Sequence, residues 1–246
     1  MRLTSTFIGP LLGMCAFSFL GLVTSAQAGE GLQGKELISA LQKGGHVIYL
    51  RHSTTDHTSS DQDPLNYTDP NTQRNLSEEG QKRAMALGNA VRALNIPIGK
   101  VITSPFCRAV ETGWFAFGRG ETNDDLAFAI GTTETEAKRL GVMLKKMMQV
   151  APEAGTNTIL ISHTANLKEA VGVWPKEEGV FVVFKPSSSG DPTYVGEIPI
   201  NTWPKLAEQF ADKKVAAAEQ EIPTVERSVL CGELAGRPTT KHQAKR

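Results

Sequence analysis

Arg51-His52, Arg108 and His163 are the residues of this sequence whose types and placement could do chemistry. Arg51 and His52 close a short apolar run, Val47-Ile48-Tyr49-Leu50. His163 closes a second run, Thr158–Ser162, and Arg108 stands just beyond Ser104-Pro105, which follows Val101-Ile102-Thr103. Runs of this length and composition, bounded by glycine and polar residues, read as buried strands. Open α/β sheets bind ligands just beyond the carboxyl ends of their strands. Two histidines and two arginines gathered at that edge would repel one another unless an anion sat among them, and guanidinium forks match phosphate oxygens. A phosphate site is the simplest physical reason for the set. Taken singly, His52 or His163 reads as an ordinary polar residue closing a strand.

The elements that must position these residues alternate strand with helix, which implies a parallel sheet with helices on both faces. Lys35–Gln42 reads as a short helix feeding the first strand. From Thr54 to Asn75 the chain is polar and turn-rich, and a loop this long inside a compact domain is usually functional. Ser77 then caps a helix with Glu78 and Glu79 at its positive end, and Ala84, Leu87, Val91 and Leu94 give it one apolar face. Ser104-Pro105 opens a helix reaching about Phe117, which puts Arg108 near its anion-holding end. Leu126–Ile130 reads as a third strand, and Thr133 or Thr135 caps the helix that carries Ala137, Leu140, Leu144 and Met147. Met143, Met147 and Met148 read as core filler. A helix over 165–173, strands over Gly179–Lys185 and Thr193–Ile198, and a closing helix over 203–218 complete the pattern.

Lysine plus arginine equals aspartate plus glutamate at 26 each, so no overall field points to nucleic acid. Residues 1–28 read as a secretory signal peptide: Arg2, an apolar middle to Val23, then Ala26-Gln27-Ala28. Glycines and Pro10 break this stretch, which argues against a stable membrane anchor. The expected domain is 29–218, exported to the periplasm or secreted. Gly29–Gly34 matches G-x-G-x-x-G but follows no strand, so it is set aside. From Glu219 to the end the sequence has few apolar residues and reads as a disordered tail. Cys107 and Cys231 do not make a disulfide framework; an oxidising compartment permits a bridge between them, and nothing in the sequence requires one.

Four motifs in order resemble the histidine phosphatase (phosphoglycerate mutase-like) superfamily, in its periplasmic or exported bacterial branch. They are Leu50-Arg51-His52-Ser53, Asn75-Leu76-Ser77-Glu78-Glu79-Gly80, Ser104-Pro105-Phe106-Cys107-Arg108-Ala109-Val110-Glu111-Thr112, and Ile161-Ser162-His163. The likeness runs from roughly Gly44 to Trp203. It implies a three-layer α/β/α fold around a mostly parallel sheet, and a phosphomonoesterase without metal or other cofactor. It also implies that His52 is the nucleophile, while Arg51, Arg108 and His163 bind the phosphoryl oxygens. Arg74 is a further candidate for substrate binding from the long loop, and Glu111 would support the arginine helix. The expected partner is a phosphorylated small molecule or sugar phosphate, including phosphorylated lipopolysaccharide core sugars.

The sequence departs from that pattern at Ser53, where the family often has glycine, and at the general acid. Asp56, Asp63, Glu134 and Glu178 are the candidates for the acid. Two other functions remain open: a non-catalytic binder of phosphorylated ligands, and a metal-dependent hydrolase using His52, Asp56, His57 and His163. The spacing of His52 and His57 does not match a helical metal pair.

Overall fold

β1 (Val47–Arg51) lies at the middle of the sheet because all of its apolar side chains are buried, on both faces. Side chains alternate across a strand. Ile48 and Leu50 therefore pack with the helices of one face, and Val47 and Tyr49 with those of the other. The computed structural model describes residues 31–63, 65–211 and 225–235. Among these, β2 (Ile98–Thr103), β3 (Glu121–Thr122), β4 (Asn157–Ser162), β5 (Phe181–Lys185) and β6 (Thr193–Ile198) complete a sheet of order β3-β2-β4-β1-β5-β6.

One layer over the sheet is formed by α1 (Gly34–Gln42), α2 (Glu78–Ala93), α3 (Cys107–Phe117) and α6 (Trp203–Phe210). The opposite layer is formed by α4 (Glu134–Gln149) and α5 (Thr164–Val171). The architecture is thus three-layered α/β/α, as the resemblance implied. Each buried leucine, isoleucine or phenylalanine of the two cores contributes about 1.5–3 kcal/mol relative to exposure. The caps expected at Ser77 and Thr133 are present: their hydroxyls accept from the Gly80 and Glu136 N–H groups. α2 can approach the strand end only because it carries Gly80, where a Cβ would stand 1.9 Å from the Thr54 carbonyl oxygen.

The sheet is mostly parallel with one reversed strand, β5. β1, β2, β3 and β4 run parallel, but β5 is antiparallel to β1, and β6 is antiparallel to β5. α5 has only 8 residues, about 12 Å of rise. The chain beyond it returns to the carboxyl edge before β5 begins: the Gly179 N–H donates to the Arg51 and His52 carbonyl oxygens. Strands buried on both faces carry no direction in their composition.

Two expectations are corrected. Residues 126–130 are not a strand; a 3-10 turn, Asp124–Leu126, leads into irregular chain. Side chains satisfy its backbone instead of a ladder. Ser162 Oγ and Asn166 Nδ2 donate to the Leu126 and Ala127 carbonyls, and the Ala129 N–H donates to Asn166 Oδ1. The tail is not disordered over 225–235. α7 (Arg227–Ala235) packs on α3, with Leu230 and Cys231 buried and a disulfide joining Cys231 to Cys107. The segment is sparse in apolar residues, and a covalent bridge and an ion pair hold this helix in place of a broad apolar face. The closing helix expected over 203–218 ends at Phe210, where Ala211 turns extended; the leader expected at 1–28, residues 212–218 and the rest of the tail lie outside the described residues. Among the described residues, no helix is long and apolar enough to cross a membrane.

Candidate functional site

The carboxyl edge of β1, β2 and β4 carries an unusual concentration of buried polar groups. His52, Ser53, Ser104, Arg108, Glu111, Thr112, Ser162 and His163 are all almost wholly covered. Polar groups are buried at a cost unless they are hydrogen-bonded, so each has to be accounted for.

His52 follows β1, and its backbone N–H donates to the Ser162 carbonyl. Its Nδ1 lies 2.9 Å from the Ser53 carbonyl oxygen. A carbonyl can only accept, so Nδ1 carries the proton and Nε2 keeps the lone pair. The next residue is tied down on both sides. The Ser53 N–H donates to Thr112 Oγ1, and Ser53 Oγ donates to the Gly80 carbonyl. The Ser53 hydroxyl thus binds the strand end to α2.

His163 follows β4, and its ring centroid lies 5.3 Å from that of His52, edge to face. Its Nε2 lies 2.8 Å from Ser104 Oγ. Ser104 Oγ also accepts from the Phe106 N–H; when its own proton is donated to Nε2, the ring's proton is on Nδ1. That Nδ1 is buried and makes no hydrogen bond among the described residues. The Tyr49 hydroxyl donates to the His163 carbonyl; burial pushes this phenol's pKa up, so it keeps its proton. Burial also lowers the pKa of both histidines well below the ordinary value, and the Arg108 charge lowers them further. Both rings are therefore neutral near pH 7.

Arg108 sits in the first turn of α3, fully buried, its guanidinium 4.3 Å from the Phe106 ring centroid. Its fork is occupied by the chain's own carboxylate. Nη1 donates to Asp61 Oδ1 at 2.9 Å and Nη2 to Asp61 Oδ2 at 3.2 Å. Asp61 Oδ1 also accepts from the Arg74 N–H, and the Arg74 carbonyl accepts from Arg108. Burial first, with the Arg74 charge adding to it, depresses the pKa of both histidines, Arg51 and Arg108; the Arg74 Nε is buried without a hydrogen-bond partner among the described residues. Arg51 donates to the Lys176 carbonyl at 2.6 Å and lies 3.5 Å from Glu178. Beyond Arg51 opens a cavity of about 370 Å³ lined by Thr54, His57, Arg83, Lys176 and Glu178.

The sequence candidates His52, His163, Arg51, Arg108 and Arg74 are thus brought to one place. The acid candidates are not. Asp56 closes a turn with Thr58 at the surface, Asp63 is exposed, and Glu134 pairs with Lys138 on the outside of α4. Glu178 does reach the cluster, where it accepts from the Thr55 N–H and Oγ1. Asp61 was missed; it is one acidic residue in a polar loop, and only the loop's fold reveals its partner. Among the described residues, no three histidine, cysteine or acidic side chains are grouped to hold a metal ion. Glu111 accepts from the Leu76 N–H and Arg227 on the buried side of α3, in the supporting role the sequence suggested.

Chemically, the cluster offers an imidazole lone pair and a guanidinium fork that already holds a carboxylate. No protein-family model matches this chain, and no curated protein matches it significantly. Solved structures do resemble it. The protein histidine phosphatase SixA complexed with tungstate is 17% identical over 64% of this chain and 98% of its own, with a TM-score of 0.44. A phosphoserine phosphatase from Entamoeba histolytica in complex with 3-phosphoglyceric acid is 14% identical, covering 63% and 96%, with a TM-score of 0.43. A mycobacterial glucosyl-3-phosphoglycerate phosphatase is 16% identical, covering 57% and 89%, with a TM-score of 0.39. At these identities the likeness carries no activity across, and the chemistry rests on the side chains themselves.

Proposed function

We propose that this protein is an exported phosphomonoesterase that works through a phosphohistidine on His52. One observation carries the reading: the Arg108 fork, beside two neutral histidines, holds a carboxylate in the two-pronged manner in which it would hold phosphate. The substrate phosphate takes the place of Asp61 on Arg108. Neutral His52 uses its Nε2 lone pair to attack phosphorus, the phosphorus–ester oxygen bond breaks with its electron pair leaving on oxygen, and the departing oxygen takes a proton from water. Arg51, Arg74, Arg108 and the His163 Nδ1–H hold the remaining oxygens as charge spreads over them. Water then attacks phosphorus and gives up a proton to the solvent, and the phosphorus–nitrogen bond breaks with its electron pair returning to Nε2, releasing inorganic phosphate and restoring neutral His52. The substrate is a phosphorylated small molecule or sugar. Location outside the cytoplasm is supported by the Cys107–Cys231 bridge, since disulfides persist in oxidising compartments.

The test is rapid quench of the full-length protein with a labelled phosphate ester. An acid-labile, base-stable adduct that disappears in His52→Ala is the expected result. A His52→Ala protein with near wild-type turnover refutes the assignment. A protein that binds phosphate esters and never turns them over would instead be a phosphate binder, the reading favoured by the closed Asp61–Arg108 pair taken alone.

A further inference from the structure

The residue before Arg108 is bonded to the far end of the chain. Cys107, the first residue of α3, forms a disulfide with Cys231 of α7 across a sequence separation of 124, and both cysteines are fully buried. A second tie lies one turn along α3. Arg227 Nε donates to Glu111 Oε1 at 2.7 Å, and Arg227 Nη2 donates to the Leu76 carbonyl at 2.9 Å. Glu111 Oε2 accepts from the Leu76 N–H, so the Arg227–Glu111 pair holds both polar groups of that residue's backbone. On the other side, the Cys107 N–H donates to Gln73 Oε1 at 2.9 Å. The two segments that bear Arg108 and Arg74 are therefore each fastened, within two residues of the arginine, to the layer that α7 closes.

We propose that α7 is a clasp that positions Arg108 and Arg74, locked by the Cys107–Cys231 disulfide, so that oxyanion binding depends on the oxidised bridge. This rests on the phosphate-site reading for its effect on activity. Arg227 is the counter-ion of a carboxylate that is 1% exposed. Removing it leaves a buried charge uncompensated, which is strongly destabilising locally. The first turn of α3 then moves or admits water, and Arg108 moves with it. A helix of 9 residues does not hold together by itself, so the bridge is what keeps Arg227 in reach. A dithiol reductant would give up two electrons and two protons to the sulfurs, leaving two thiols and the oxidised dithiol. Arg227 and Glu111 act through the arginines; they are positioning residues.

The experiment measures orthovanadate affinity, kcat/KM for a phosphate ester, and hydrogen exchange over 73–76 and 107–112. It compares the oxidised full-length protein with the same protein after dithiothreitol, with thiol alkylation reporting the open bridge. Cys231→Ser and Arg227→Ala are tested alongside. Expected are weaker vanadate binding, a loss in kcat/KM of about 10- to 100-fold, the range of a misplaced positioning group, and faster exchange at both segments. In a Glu111→Gln background, where no buried charge needs a partner, Arg227→Ala should lose several-fold less. That rescue separates positioning from a general loss of stability. Unchanged vanadate affinity and exchange with the bridge demonstrably open overturn the proposal. If the oxidised protein neither turns over esters nor binds vanadate, the phosphatase reading fails, and the exchange data alone decide for or against the clasp.

Discussion

The two histidines and the arginine-bearing segments reach the same site by different means. His52 and His163 are fixed by the sheet. Each follows a central parallel strand, and the His52 N–H is part of the pairing to β4. Tyr49 and Ser104 then set the frame of His163. Arg108, Arg74 and Asp61 are held instead by side chains from remote parts of the chain: Gln73, Glu111, and Arg227 across 116 residues. Backbone ladders form cooperatively and are hard to perturb singly, whereas a side-chain relay fails when one member is lost. The difference suggests a nucleophile built in place and an anion holder that can be opened.

The largest effect should come from the nucleophile of the sheet-borne pair. His52→Ala removes the atom that forms the covalent bond, and kcat should fall by about 10⁴-fold or more, as for other lost nucleophiles. Arg108→Ala and His163→Ala should each cost about 10²–10³ in kcat, like an oxyanion-hole donor. Steady-state kinetics on one ester checks all three; comparable losses for the three would break the division between nucleophile and holder. Next in size, ending the chain after Ala218 removes α7 and its bridge. Thermal unfolding should show a loss of stability of about 2–4 kcal/mol, typical of a lost disulfide. An unchanged melting temperature would return α7 to the status of a dispensable tail.

Asp61→Asn sharpens the comparison on the holder's side. The free protein should melt lower, because the buried Arg108 loses its carboxylate. Vanadate should nevertheless bind tighter, by about tenfold for each 1.4 kcal/mol of competition removed, and should restore the melting temperature. Weaker vanadate binding, measured by calorimetry, would mean that Asp61 orients the fork rather than competing for it.

The smallest effect concerns pH. Both histidines have folded pKa values well below the ordinary value, from burial first and Arg108 second. The unfolded chain takes up those protons as pH drops below about 6.5, while the folded protein does not. The stability they permit is therefore present above that pH and declines as pH falls toward the folded pKa. The acid limb of kcat/KM should likewise lie well below 6.5. A limb centred near 6.5 in the free enzyme would show that the histidines are not buried as described.

Much of the site was legible because its histidines belong to strand ends. A buried apolar run that stops on Arg51-His52, and another that stops on His163, announce both the strand and the edge. Thr133 and Ser77 were legible for the same local reason, since a cap's hydrogen bonds span only a turn. Residues 126–130 were not, because the ladder expected for them is replaced by Ser162 and Asn166, distant in sequence. The direction of β5 was hidden as well, because a strand buried on both faces looks the same whichever way it runs.

By itself, then, the sequence determined five of the six strands, the caps at Ser77 and Thr133 and the histidine–arginine set, all set by patterns within a few residues. Only the tertiary structure decided that Asp61 fills the Arg108 fork, that Glu178 alone of the four acid candidates reaches the cluster, and that Cys231 meets Cys107. Each of these is a contact between side chains from loops or a terminus, closed over tens of residues. Such contacts have no period and no local signature, because their energy lies in burial and charge compensation that exist only after the layers have packed.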